Sequence, residues 1–151
     1  FMTENRRFFL DTNVLVYAFD RDEPEKRERA LEILLKAGET EGAYVISTQV
    51  LQEFYTVVTR RLSKKLTEED GERATRSFAH LPVVTADAHL VLDAISLSRR
   101  HQLSLWDALI VQAAVKTGCT TVLTEDLQDG LEIGTLRIAN PFLKTNSRLP
   151  S

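Results

Sequence analysis

Acidic side chains recur in this sequence at the junctions between predicted elements: Asp11, Glu53, Asp107, Asp126 and Asp129. Two carboxylates held about 5 Å apart at an effective dielectric near 20 repel by roughly 3 kcal/mol, so acids that converge need compensation. Protonation supplies it by raising a carboxyl pKa; a hard divalent cation supplies it while keeping the oxygen ligands. Mg²⁺ takes one or two protein carboxylates, retains several waters and accepts a substrate phosphate, which suits phosphodiester chemistry. One cation would activate water, and a second, roughly 3.5–4 Å away, would stabilise the leaving oxygen. Asp11, Glu53, Asp107 and Asp126 are the expected metal set, with Asp129 as the competing fourth acid. Each also has a plain structural role open to it. Asp11 can cap a helix, Glu53 can face solvent, Asp107 can form a capping box with Ser104, and Asp126 and Asp129 can shape a turn before Gly130. Their joint placement is what favours chemistry.

That placement depends on the elements around them. Arg6 to Asp11 (RRFFLD) reads as a short buried strand ending at a carboxylate, followed by Val14, Leu15, Ala18 and Phe19 at helical spacing. Pro24 opens a second predicted helix, for which Gly38 is the expected C-terminal cap. Ala43 to Ile46 is a second strand, and Ser47 or Thr48 caps a helix with Val50, Leu51, Phe54, Val57 and Val58 on one face and Glu53 at its edge. Thr67 with Asp70 marks another helix start, Leu81 to Val84 a third strand, and Asp87 to Arg100 a long helix that breaks at Gln102 and Leu103. Ser104 opens a helix ending at Gly118, and Thr120 to Thr124 and Thr135 to Ile138 complete five strands. Strands with near-continuous apolar runs, separated by helices, predict an α/β domain with a mostly parallel sheet. In such sheets ligands bind outside the carboxyl ends of the strands, the rim where these acids fall. One domain is expected over residues 6–141, with 142–151 as a flexible tail.

Composition agrees with an ordinary globular domain: 43% hydrophobic and 27% charged residues, with a net charge of −3. The longest clean apolar run, Val14 to Phe19, is far short of the ~20 residues that span a bilayer, and Asp11 and Asn13 interrupt the apolar stretch a signal peptide requires. No membrane association is expected, and a cytoplasmic location follows as the default. The lone Cys119 reads as a small core residue. His80, His89 and His101 lack ligand spacing. Two basic clusters flank the acids, Arg60, Arg61, Lys64 and Lys65 after the Glu53 helix and Arg99, Arg100 and His101 before the Asp107 helix; contact with phosphate and plain solvation are equally open for them. Trp106, beside Asp107, is expected to pack into the core in preference to stacking on a base.

The segments LDTNVLVYAFD, QVLQEF, LSLWDALIVQAA and TVLTEDLQDG, in this order, resemble the PIN-domain family of metal-dependent ribonucleases, and most of all the VapC-type toxins of toxin–antitoxin pairs. The resemblance runs from about Arg7 to Pro141. It implies a three-layer α/β/α fold around a five-stranded parallel sheet and a Mg²⁺- or Mn²⁺-dependent endoribonuclease, often a homodimer, with a small antitoxin as partner and RNA as substrate. By the same resemblance the family's acids fall on Asp11, Glu53, Asp107 and either Asp126 or Asp129, while Thr12, Asn13 and Thr124 match small polar positions that orient the acids or meet a phosphate. Rival readings within the fold are a catalytically silent RNA-binding scaffold and an RNA-processing nuclease without an antitoxin. A receiver-like phosphoacceptor is disfavoured because the paired acids after the first strand are missing and Lys116 lies inside a helix.

Overall fold

The computed structural model describes residues 6–143. Its chain order is β1 (Phe8–Leu10), α1 (Thr12–Tyr17), α2 (Pro24–Glu39), β2 (Tyr44–Ser47), α3 (Thr48–Arg60), α4 (Glu68–Phe78), β3 (Val83–Val84), α5 (Ala88–His101), α6 (Leu105–Lys116), β4 (Thr121–Leu123), β5 (Glu132–Ile133) and β6 (Leu136–Ala139). The strands form one sheet in the order β3-β2-β1-β4-β6-β5. All neighbours are parallel except β5 and β6. This is a mixed α/β domain with a mostly parallel sheet. Every residue of β1, β2 and β4 is buried, which a strand achieves only when helices cover both faces of its sheet.

Helix boundaries follow side-chain chemistry. Ser47, Thr67, Asp87 and Ser104 each accept a hydrogen bond from a backbone N–H of the helix they precede, and Asp11 does so for Thr12. At the other end, Gln102 closes α5 in the left-handed region, φ 56°, and Gly118 takes φ +72° just past α6, where a Cβ would be strained. The helices gather into two sets, α5 on α6, and α1 against α2 and α3 with α4 on α3. Phe19, Phe54 and Phe78 pack edge-to-face at the junction of the second set, with centroids 5.0–6.2 Å apart. Cys119 is buried, as expected.

Two sequence expectations need correction. Among the described residues the sheet has six strands where five were expected: Glu132–Ile133 pairs antiparallel with Leu136–Ala139 across a turn in which Gly134 has φ +62°. Two residues are too few to show alternation, so the extra edge strand leaves no periodic signal. Gly38 does not cap α2. The helix continues through it to Glu39, and Thr40 is the C-cap. Of the expected tail, residues 144–151 lie outside the described residues, and Phe142 packs edge-on against Tyr17 with centroids 4.9 Å apart.

Candidate active site

From β1 the chain moves outward through β2 to β3, then returns to place β4 on the opposite side of β1. β1 and β4 therefore flank a topological switch point, where diverging connections leave a crevice at the carboxyl ends of the strands. Leu10 pairs with Leu123 in this parallel ladder, so the residues that follow, Asp11 and Thr124, emerge side by side. The Asp11 N–H donates to the Leu123 carbonyl at 3.1 Å, closing the ladder.

Asp11 is 5% exposed. Its Oδ1 accepts from the Thr12 N–H and its Oδ2 from the Thr124 hydroxyl, both at 2.7 Å. Burial lifts its pKa to about 6; these two hydrogen bonds oppose the rise, and the charges of Asp126 and Glu53 reinforce it. Thr124, itself fully buried, also accepts from the Asp126 N–H at 3.0 Å and from Asn13 Nδ2 at 3.3 Å, so one hydroxyl ties three site residues together. Thr12 Oγ1 donates to Glu53 Oε1 at 2.7 Å, and Gln49 Nε2 donates to Glu53 Oε2 at 3.2 Å. The Glu53 carboxylate thus reaches across from α3 to the start of α1.

Burial also raises the Asp126 carboxyl above its ordinary value; a hydrogen bond from Asn13 pulls the other way, and the charges of Glu125, Asp107 and Glu53 push it up. Asp107 stands in the first turn of α6, its N–H held by the Ser104 cap at 3.1 Å, so the capping half of the predicted box forms while the carboxyl stays within electrostatic reach of Asp126. Asp11, Glu53, Asp107 and Asp126 form one electrostatic group. Asp129 has a different setting, where its Oδ1 accepts from the Asn140 N–H at 2.8 Å and fixes the return from β4 to β6.

A cleft of about 540 Å³ opens beside the acids, with Asn13, Tyr17, Glu53, Thr56, Arg61 and Asp126 on its walls. Among the described residues the buried Oδ1 of Asn13, on that wall, has no hydrogen-bond partner. An unsatisfied buried oxygen beside mutually repelling carboxylates is a donor set of hard oxygens, which fits Mg²⁺ or Mn²⁺. Among the described residues no three His, Cys, Asp or Glu side chains gather tightly enough to hold an ion by themselves. The set matches a cation that takes carboxylates in ones and twos and completes its shell with water.

Sequence reasoning missed two contributors. Gln49 was legible as the residue one helical turn before Glu53, the spacing at which side chains meet. The group of Tyr17, Lys26 and Glu125 was not: Lys26 bonds Glu125 at 3.0 Å and lies over the Tyr17 ring, and the Tyr17 hydroxyl bonds Glu125, contacts that span up to 108 residues of sequence. One expectation is overturned. Trp106 is 65% exposed and does not enter the core, because Ala108, Leu109 and Ile110 of the same helix take the inward positions.

The family model of the PIN domain matches residues 8–128. The chain belongs to the PIN-domain family. Its PIN domain is similar in fold to a toxin–antitoxin complex from Klebsiella pneumoniae, at TM-score 0.65 and 16% identity over 88% of this chain and 96% of that one. It is similar to VapC20 of Mycobacterium tuberculosis, a toxin that cleaves the sarcin–ricin loop, at TM-score 0.60 and 18% identity over 76% of this chain and 86% of that one. It is also similar to VapBC2 of Rickettsia felis bound to a promoter DNA fragment, at TM-score 0.58 and 24% identity over 88% and 97% of the two chains. No curated protein matches this PIN domain in sequence at a significant level.

Proposed function

We propose that this PIN domain is a Mg²⁺- or Mn²⁺-dependent endoribonuclease and the toxin of a toxin–antitoxin pair. The observation that carries the reading is the switch-point cluster itself: buried Asp11, held by two hydrogen bonds, joined to Glu53 through Thr12 and to Asp126 through Thr124. Burial raises the Asp11 and Asp126 carboxyls and neighbouring acidic charges add to the rise, a cost that acids serving stability alone would not carry.

In this mechanism one or two of Asp11, Glu53, Asp107 and Asp126 would bind a divalent cation directly and the others through its water, and the bound cation would supply the positive charge that polarises a phosphate oxygen and makes water more acidic. The chain supplies the rest. Thr124 and the Thr12 N–H present Asp11 in one orientation, and the Thr12 hydroxyl and Gln49 fix Glu53, so the acids need no rearrangement when substrate arrives. Asn13 Oδ1 adds a neutral acceptor at the cleft wall. Arg61 on the cleft wall faces the approach of a polyanion. Asp126 is favoured over Asp129 as the fourth acid because Asp129 is engaged by the Asn140 backbone.

An antitoxin partner is supported by the folds this chain shares with toxin–antitoxin complexes. A homodimer suits α5, where Leu92 and Ile95 stand exposed on one face. A cytoplasmic site of action follows from an RNA substrate; among the described residues no helix is long and apolar enough to cross a membrane. The test is incubation of total cellular RNA with Mg²⁺ or Mn²⁺, beside lanes containing EDTA and the Asp107→Asn variant. Discrete fragments that vanish in both control lanes are expected. Intact RNA in every lane, or equal cutting by the variant, overturns the reading.

A further inference from the structure

Trp106 is the only tryptophan of the chain, and its indole lies open to solvent one residue before Asp107. Three features make the position more than a stray apolar side chain. The backbone beneath it is fixed: Ser104 caps the turn, and Gln49, which also orients Glu53, donates to the Trp106 carbonyl at 3.3 Å. The same side chain therefore ties the indole's attachment point to an acid of the cluster. Next, the last turn of α5 carries Arg99, Arg100 and His101, all exposed, and only Gln102 to Ser104 separate that turn from α6. An open aromatic ring with exposed arginines a few residues away in the chain is a combination by which proteins hold single-stranded nucleic acid, the ring stacking on a base and the arginines meeting phosphates. Finally, the Gln49 amide that bonds the Trp106 carbonyl also bonds Glu53, so a base on the indole would sit near the position where a phosphate meets the acids.

We propose that Trp106 is the platform on which an unpaired base of the RNA, next to the phosphate to be cut, stacks during recognition. A paired base keeps both faces inside its helix and offers none to the indole. The site accordingly selects a loop or single strand over a duplex, and its sequence tolerance is broad because every base has a π-face. The proposal rests on the ribonuclease reading and deepens it by naming a residue of this chain that recognises the substrate.

The test uses the tryptophan as its own reporter, in the full chain carrying Asp11→Asn so that RNA is bound and not cut. A short unstructured oligoribonucleotide of mixed sequence, its abasic counterpart and an RNA duplex are each titrated in Mg²⁺ at low salt, following indole emission and, separately, anisotropy of the labelled strand. Quenching by the single strand alone is expected. Trp106→Ala should raise its Kd roughly 10- to 100-fold with the melting temperature unchanged, and Trp106→Phe should recover most of the loss. Binding without a change in emission, or with equal affinity for Trp106→Ala, overturns the platform and leaves the ribonuclease reading standing. Equal quenching by the abasic strand overturns stacking, and an emission shift on protein dilution alone shows the indole covered by a second copy. Absence of binding by every RNA overturns both readings.

Discussion

Asp11 is a buried carboxyl, and its protonation makes the cost of that burial measurable. Its carboxyl pKa moves from 3.8 to about 6, so between those values the folded chain holds a proton that the unfolded chain has released. Stability from this group is therefore present at low pH and lost as pH rises through about 6, by up to about 3 kcal/mol in the absence of metal. Urea unfolding in EDTA from pH 4 to pH 7.5 should show that slope in the wild type and a flatter one in Asp11→Asn, which should be the more stable of the two at pH 7.5. Thr124 is the second residue to probe. Replacing it with Val removes the hydroxyl that donates to Asp11 and accepts from Asn13 and Asp126, at nearly constant volume. The expected loss is about 1–3 kcal/mol by chemical denaturation, and calorimetry should show Mg²⁺ affinity about 10- to 100-fold lower. At this scale the sequence displayed the acid types and Thr124, but not that Thr124 serves three partners, because those bonds join positions more than a hundred residues apart or lie across a turn.

Among the elements, α3 and α4 are held at a separation set by Gly71. A Cβ at Gly71 would lie 2.5 Å from the Thr59 methyl, and Thr59 cannot swing aside without giving up its hydrogen bond to the Tyr55 carbonyl. Helix propensity favours Ala over Gly by about 1 kcal/mol, while forced overpacking costs about 1–3 kcal/mol. The clash should win: Gly71→Ala is expected to lower the melting temperature, and pairing it with Thr59→Ser, which deletes the methyl, should restore it. The elements were readable where caps mark them, as at Ser47, Thr67, Asp87 and Ser104. They were unreadable where the signal is tertiary. Gly38 looked like a stop because glycine often ends helices, yet the helix passes through it; Trp106 looked like core because large aromatics are usually buried, yet smaller neighbours occupy the inside of α6.

Across the whole molecule, the acids at the switch point are a standing electrostatic load that a bound cation would relieve. A ligand that binds only the folded state stabilises it by about 2.7 kcal/mol at a hundred times its dissociation constant. Mg²⁺ or Mn²⁺ should accordingly raise the melting temperature of the wild type, and Asp107→Asn should reduce that rise; a thermal scan against metal concentration checks both. The α/β class and parallel sheet were legible from buried strand runs alternating with helical stripes. The strand order was not, because the step from β3 back to β4 on the far side of β1 leaves no local trace, and that step places Thr124 beside Asp11.

The same strand order has a consequence for the cell that makes the protein. Asp11 leaves the ribosome before Thr124 and Asp126, which come from a segment synthesised more than a hundred residues later, and β4 must insert beside β1 before the crevice exists. A nascent chain that stops short of β4 has no hydroxyl for Asp11 Oδ2 and no fourth acid. Under the proposed function, a product truncated before β4 is harmless, and the machinery that builds an RNA-cutting enzyme is spared by it until β4 has been made.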